Sequence, residues 1–454
     1  MATPELVREP PTLRTNWLLG TLVGTLRDPL GMMTNAYAEC GSAMRSRMGP
    51  PGIGVDLVSF FDPDAVAHIV DNPTYQTYRK DSRFYQQFSE LLGDGLLTAQ
   101  GETWKRQRRI IQPVFTARVV DSYASVMNVE AQSVVDGWRR SGVAEIDVGD
   151  EMMAATLRII ARLFFGEDAE EMIGVVRSSF PILGRAALTR GALPTAPPLR
   201  WPLPGNRRIV AARQDLFGLC DRIIARRRRA ADPGDDLIGR LIAARDDHGD
   251  ALSDIEIRDQ LMIFLLAGHE TTSTALTFAL WLLGHHDTEQ QQVRDEVGRL
   301  DSNPSASDFQ QLAFTTMVLK EAMRLYPSAP ILNRIAARDD VIDGYRVRRG
   351  QMVLFSPWVM HRRADLWPDP LKFDPLRFTP ENEATRHRLA WMPFAHGPRG
   401  CIGQRFAMLE SAVVLANVIA AFQIRSDTTE LSLGSDLTLQ LREPIHCALI
   451  PLEK

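Results

Sequence analysis

Residues 253–285 constrain the fold of this 454-residue chain more than any other stretch. Ser253-Asp254-Ile255-Glu256 has the form of a capping box, in which serine and glutamate satisfy free N–H groups at a helix start. Apolar residues run from Leu261 to Ala267 and resume after Thr274 through Trp281. At ~1.5 Å per residue, a helix of about thirty residues crosses an entire domain, so the other elements must pack around it. Its middle is the anomaly: Gly268-His269-Glu270-Thr271-Thr272-Ser273-Thr274 is a polar island in an otherwise apolar helix. Buried polar groups are costly unless satisfied, and Glu270 at mid-span argues against a transmembrane helix. The residues alone leave two readings: a kinked core helix whose threonine hydroxyls bond back to the preceding turn, or a functional site.

A second stretch, residues 391–410, centres on Cys401. Gly397, Pro398 and Gly400 interrupt regular structure before it, and a strongly apolar helical pattern runs from Phe406 to Phe422 after it. A cysteine just ahead of a helix start meets free N–H groups and the positive dipole end, which favour a thiolate. A lone cysteine is otherwise a small buried hydrophobe. Phe394, Gly397, Arg399, Cys401 and Gly403 stand at the spacing F-x-x-G-x-R-x-C-x-G, and here the chain resembles the cytochrome P450 family, whose haem-binding loop has this form. The resemblance implies that Cys401 is the axial thiolate ligand of the iron of haem b, a ligand that favours O–O cleavage. It further implies that Phe394 packs beside the sulfur, that Arg399 meets a haem propionate, and that glycines such as Gly403 let the backbone approach the macrocycle. Ala267-Gly268-His269-Glu270-Thr271-Thr272 matches the family's A-G-x-[DE]-T-T element. There Ala267 and Gly268 would leave room for dioxygen, Thr271 would hold it, and Glu270 would relay protons as the catalytic acid.

The remaining motifs stand in family order. Trp104 and Arg108 lie four apart on one helix face and match a W-x-x-x-R pair whose side chains reach a haem propionate. Arg334, in a run extended by Pro327 and Pro330, matches another propionate arginine, with Ala329, Ile331 and Leu332 expected on the pocket wall. Glu321 and Arg324 by themselves are an ordinary i,i+3 pair; with Arg377, in a segment resembling P-E-R-F, the resemblance makes them a buried structural network. The implied fold is mainly α with a small β region: a cytochrome P450 fold with a long central helix over the haem. One domain spanning residues 1–454 is expected, with β-rich parts near 43–61 and 330–356, a capped helix from Asp62-Pro63, and a terminal strand pair within 437–450. Mixed residues 75–101 would cover the substrate pocket, and the proline-dense residues 193–204 would form a long surface loop, whose Leu193, Leu199, Trp201 and Leu203 suggest apolar substrates.

The net charge of −4 argues against nucleic-acid binding. Cysteines at 40, 220, 401 and 447 show neither C-x-x-C spacing nor a disulfide framework, which suits the reducing cytoplasm. The apolar piece at 17–26 is interrupted by Gly20 and Gly24 and is too short for a bilayer core of ~30 Å, so no integral membrane anchor is expected. The expected activity is monooxygenation of a small apolar substrate, a terpenoid, fatty acid or similar, by a monomer. The stretch after Cys401 is too short for a flavin or iron–sulfur domain, so electrons are expected from separate ferredoxin and ferredoxin reductase proteins docking near Arg106 and Arg109. Two alternatives keep the haem: a peroxide-driven peroxygenase and a non-enzymatic haem-based sensor.

Overall fold

The computed structural model describes residues 7–71, 76–192, 196–232, 234–301, 303–435 and 438–452. Expectations for Tyr75, for Leu193, Pro194 and Thr195, and for Leu437 lie outside these residues.

The central helix, Asp254–Leu283, starts at the expected capping box: the Ser253 hydroxyl accepts the Glu256 N–H at 3.3 Å, and the Glu256 carboxylate accepts the Ser253 N–H at 2.9 Å. Its apolar side chains face every direction, so it needs neighbours on every side. Helices Val148–Phe165, Pro204–Arg229, Ala313–Leu325 and Gln404–Ala421 supply them. Gln404–Ala421 is, among the described residues, the one helix apolar and long enough to cross a membrane, and 67% of it is buried in this core.

The strands are β1 (Ala43–Met48), β2 (Val55–Phe60), β3 (Tyr78–Arg79), β4 (Glu145–Asp147), β5 (Leu332–Ala336), β6 (Asp340–Ile342), β7 (Tyr345–Val347), β8 (Met352–Phe355), β9 (Phe422–Arg425), β10 (Leu433–Ser435), β11 (Leu439–Leu441) and β12 (His446–Pro451). β1 and β2 of the first expected β-rich part join β5 and β8 of the second in one sheet of order β1-β2-β8-β5-β3, because β2 pairs in parallel with β8, while β6 and β7 form a separate ribbon. The terminal strand pair is corrected: β11 pairs with β10, whereas β12 lies between β4 and β9. Alternation identifies strand residues but carries no information about partners brought in from afar.

Two polar networks fix the walls around the centre. Residues 93–100 lie against the central helix because Asp259 accepts the Asp94 N–H and Gln260 accepts the Leu96 N–H, both at 2.9 Å. Gln260 also donates to Gln107 at 3.0 Å, tying in the helix Gly101–Ile111. On the other side Glu321 and Arg324 are fully buried, with Arg324 Nε 2.6 Å from Glu321 Oε2. Further bonds from Arg324 to Glu321 and to the carbonyls of His361, Pro370 and Lys372 employ its remaining donors, and Arg377 Nε adds an ion pair at 3.4 Å. His361 joins this network to the Cys401 loop: its Nε2 accepts the Met392 N–H at 3.0 Å and its Nδ1 donates to the Arg324 carbonyl at 3.2 Å. That bonding needs a neutral ring, and burial together with Arg324 pushes the imidazole down to about 3.

Candidate active site

Cys401 sits where an irregular loop turns into the helix Gln404–Ala421. Its N–H donates to the Phe394 carbonyl at 2.9 Å, and the Gly400 N–H donates to the Gly397 carbonyl at 2.9 Å, so the loop folds back beneath the sulfur. Gly397 has φ +71°, and a Cβ there would stand 2.0 Å from the Val70 carbonyl oxygen; no other residue fits without moving backbone. The thiol opens into an internal cavity between this loop and the central helix. Burial pushes it above the ordinary cysteine value, opposed by the Gly403 N–H and by the charges of Arg108 and Lys80. Burial and the helix start thus act in opposite directions on this sulfur. A bound metal cation would supply the missing positive charge.

The cavity brings together most of the residues named from sequence. Ala267, Gly268 and Thr271 form its roof on the central helix; Phe394, Arg399, Cys401 and Gly403 form its floor; Trp104 and Arg108 enter from one end. Arg399 donates to the Ala99 carbonyl at 2.9 Å, and its guanidinium lies 4.6 Å from the Trp104 ring centre. Arg334 is buried one layer back from the wall, 5.5 Å from the Phe355 ring, and Lys80 stands on the wall near it. Lys80 has no signal in the sequence beyond its position in the mixed 75–101 stretch. Ala329 and Leu332 line the cavity as expected, whereas Ile331 packs away from it, against the cluster of Met44 and Leu57. Residues 196–203 of the proline-dense loop do not reach the cavity; Leu199 packs on the core, and Trp201 and Leu203 are 52% and 42% exposed.

Two further placements qualify the expectations. A Cβ on Gly268 would stand 2.6 Å from Ile160 Cδ1, so this glycine also serves close packing of the central helix on Val148–Phe165. Glu270 does not line the cavity; its carboxylate accepts from the Thr438 hydroxyl at 2.5 Å and the Gln440 amide at 2.6 Å on the far side of the helix. The Thr271 hydroxyl donates to the Ala267 carbonyl at 2.7 Å, and the Ser328 hydroxyl holds the Thr271 carbonyl at 2.8 Å.

The electrostatics of the cavity ask for a particular guest. Lys80, Arg108 and Arg399 line it, and no Asp or Glu among the described residues does. Burial, then the Arg334 and Arg399 charges, push the Lys80 ammonium well below its ordinary value. A flat, largely apolar group bearing carboxylates at one edge and a metal at its centre meets each of these features: cations for the carboxylates, apolar walls for the ring, a thiol for the metal. The model of the family "Cytochrome P450" matches residues 10–445. The chain belongs to the cytochrome P450 family. Cyclooctatin synthase from Streptomyces melanosporofaciens is 34% identical over 90% of this chain and 88% of its own length, and human cytochrome P450 4F2 is 30% identical over 98% and 90%. The crystal structure of the cytochrome P450DA haem domain superposes with a TM-score of 0.87 at 28% identity, covering 99% of both chains. This cytochrome P450 is a monooxygenase whose cofactor is haem b. The basic residues near its Trp104 helix are largely committed internally: Arg106 pairs with Glu256, and Arg109 with Asp246 at 3.1 Å.

Proposed function

We propose that this cytochrome P450, acting as one 454-residue unit, inserts one atom of O2 into an apolar organic substrate, a terpenoid or the alkyl chain of a fatty acid. The observation that carries this reading is the Cys401 thiol beneath a cation-edged cavity roofed by Ala267 and Thr271 and lined, among the described residues, by no Asp or Glu. Leu96, Leu97, Phe115, Phe164, Ile263 and Phe264 give the rest of the wall no charge with which to bind a polar substrate. A relative named cyclooctat-9-en-7-ol 5-monooxygenase, 31% identical, and a neighbouring structure of a cyanobacterial P450 with bound retinoic acid support an apolar substrate.

The reaction consumes R–H, O2, two electrons and two protons and yields R–OH and water. Cys401 would hold the haem through its sulfur, and haem so held would supply dioxygen activation. Lys80, Arg108, Arg399 and Trp104 anchor the carboxylate edge, with Arg334 adding positive charge behind them. The aromatic and leucine walls exclude bulk water, which keeps protons from arriving uncontrolled and releasing peroxide. Thr271 orients the proton path at the roof, and Glu270 delivers the protons; this pair supports dioxygen over peroxide as oxidant. Electrons come from separate ferredoxin and ferredoxin reductase proteins in the cytoplasm.

The absorption spectrum of the reduced, carbon monoxide-bound protein is the decisive measurement. It is expected to carry the red-shifted signature of a thiolate ligand, lost in Cys401→Ser; a parent protein without that signature overturns the assignment. Reduction by ferredoxin is expected to slow as ionic strength rises, since charge steers such encounters. A rate insensitive to salt refutes a charge-guided redox partner.

A further inference from the structure

Among the described residues three hydroxyls line the haem cavity, those of Thr271, Thr272 and Ser328. The Thr271 hydroxyl lies 2.7 Å from the Ala267 carbonyl oxygen, and the Ser328 hydroxyl 2.8 Å from the Thr271 carbonyl oxygen. A carbonyl oxygen only accepts, so both hydroxyls spend their single proton on the main chain and have only lone pairs left for a guest. Thr272 is buried beside Glu410 of the helix Gln404–Ala421. Ser328 is partly buried, and it is held from two sides: its carbonyl accepts the Leu439 N–H of β11 at 2.9 Å while its hydroxyl is tied to the central helix. Around it the wall is hydrocarbon, from Met323, Ala329 and Leu332 on its own segment and Ala267 across the cavity roof. The side-chain donors of the cavity, Lys80, Trp104, Arg108 and Arg399, are those that the haem carboxylates engage. What remains above the haem is an apolar wall with fixed acceptors and no spare side-chain donor.

We propose that Ser328 is a specificity-determining residue which accepts a hydrogen bond from a hydroxyl of the substrate, so that the enzyme takes apolar alcohols in preference to ketones or hydrocarbons of the same skeleton. The inference rests on the reading of this cavity as a site for apolar substrates and narrows that class. An alcohol brings the donor that the wall lacks, and its buried O–H keeps a partner. A ketone brings another acceptor, loses its bonds to water on entry and finds no donor to replace them. A hydrocarbon leaves the Ser328 lone pairs without water and without a guest. Thr271, on the roof, is the hydroxyl already given to the oxygen chemistry, which leaves Ser328 for the substrate. Anchored at Ser328, the skeleton presents a carbon at a set distance from its own hydroxyl. The reaction then consumes HO–R–H, O2, two electrons and two protons and yields HO–R–OH and water.

The test titrates the haem-loaded enzyme with two matched sets of probes: menthol, menthone and p-menthane, and 2-dodecanol, 2-dodecanone and dodecane. Binding is followed by the change in haem absorption as each probe enters. Dissociation constants are compared within each set for the parent, Ser328→Ala, Ser328→Thr and Thr271→Ala, each variant first shown to keep the parental carbon monoxide spectrum. A buried neutral hydrogen bond is worth roughly tenfold in affinity, so the parent is expected to bind the alcohol roughly tenfold more tightly than the ketone in at least one set. Ser328→Ala is expected to abolish that preference, whereas Ser328→Thr, which keeps the hydroxyl, and Thr271→Ala, which removes the other one, retain it. A general loosening of the pocket changes affinities but not this ratio, and the parental ratio is measured whether or not a variant folds. Equal binding of alcohol and ketone by the parent in both sets, or a preference that survives Ser328→Ala, overturns the role of Ser328 and leaves the apolar-substrate reading intact. Failure of every probe to bind overturns both.

Discussion

At the scale of single residues, the site holds buried groups whose charge their surroundings oppose. Lys80 is held well below its ordinary value because burial and three neighbouring arginines disfavour its charge; a dicarboxylate guest removes that cost. Glu410, on the helix that follows Cys401, is the opposite case. It is fully buried, so burial pushes it well above the usual carboxylate range, with the nearby Thr272 hydroxyl opposing only in part. An acid whose folded value lies above its unfolded one contributes fully below the unfolded value and loses that contribution as pH rises toward the folded one. Glu410→Gln, which cannot ionise, is therefore expected to match the parent in stability at about pH 4, near the unfolded glutamate value, and to exceed it at high pH. Denaturant midpoints across that range check this, and parallel profiles refute it.

At the scale of elements, the central helix does two jobs with one sequence. Most of its apolar surface is buried against neighbouring helices, and its middle turn presents different side chains to two cavities. Because neighbours rather than local propensity hold so long a helix, its cap is worth little more than the bonds it makes. Ser253→Ala, which removes one half of the capping box, is expected to cost about 1 kcal/mol and to leave the haem spectrum unchanged. Thermal denaturation of the holoprotein measures the first, and a variant that fails to incorporate haem contradicts the second.

At the scale of the whole molecule, the fold depends on buried polar junctions that join distant segments. Arg324 donates two hydrogen bonds to Glu321 and reaches three carbonyls between residues 361 and 372, and His361 carries the connection to Met392 ahead of the Cys401 loop. Breaking a buried pair leaves an uncompensated charge. Glu321→Gln keeps the volume but strands Arg324 and Arg377, and is expected to cost about 3 kcal/mol or more and to lower the fraction of protein carrying haem. Denaturation midpoints and the haem-to-protein absorbance ratio report the two effects. A loss below ~1 kcal/mol, the level of an exposed pair, contradicts the buried-network role.

Many of these features are legible in the order of the amino acids. The capping box of the central helix, the hairpin of β1 and β2, the helix opened by Asp62-Pro63 and the loop ahead of Cys401 all follow from local rules: side-chain caps, period-two alternation, and prolines and glycines that forbid regular structure. Those rules act over a few residues, so the chain states them directly. What it cannot state is which distant segment arrives beside which. The parallel pairing of β2 with β8, the partners of β12, the placement of Lys80 on the cavity wall and of Arg334 behind it, and the capture of Glu270 by Thr438 and Gln440 all join residues far apart in the chain. Thr438 and Gln440 stand two apart in extended chain, a spacing that names a shared face but not what it meets. Motif and spacing suffice to assign Cys401 and the turn at Glu270 and Thr271 to one chemistry. That Thr271 faces the haem cavity while Glu270 faces the solvent side follows only from the packing, because a helix turns ~100° per residue and its neighbours determine what each direction sees.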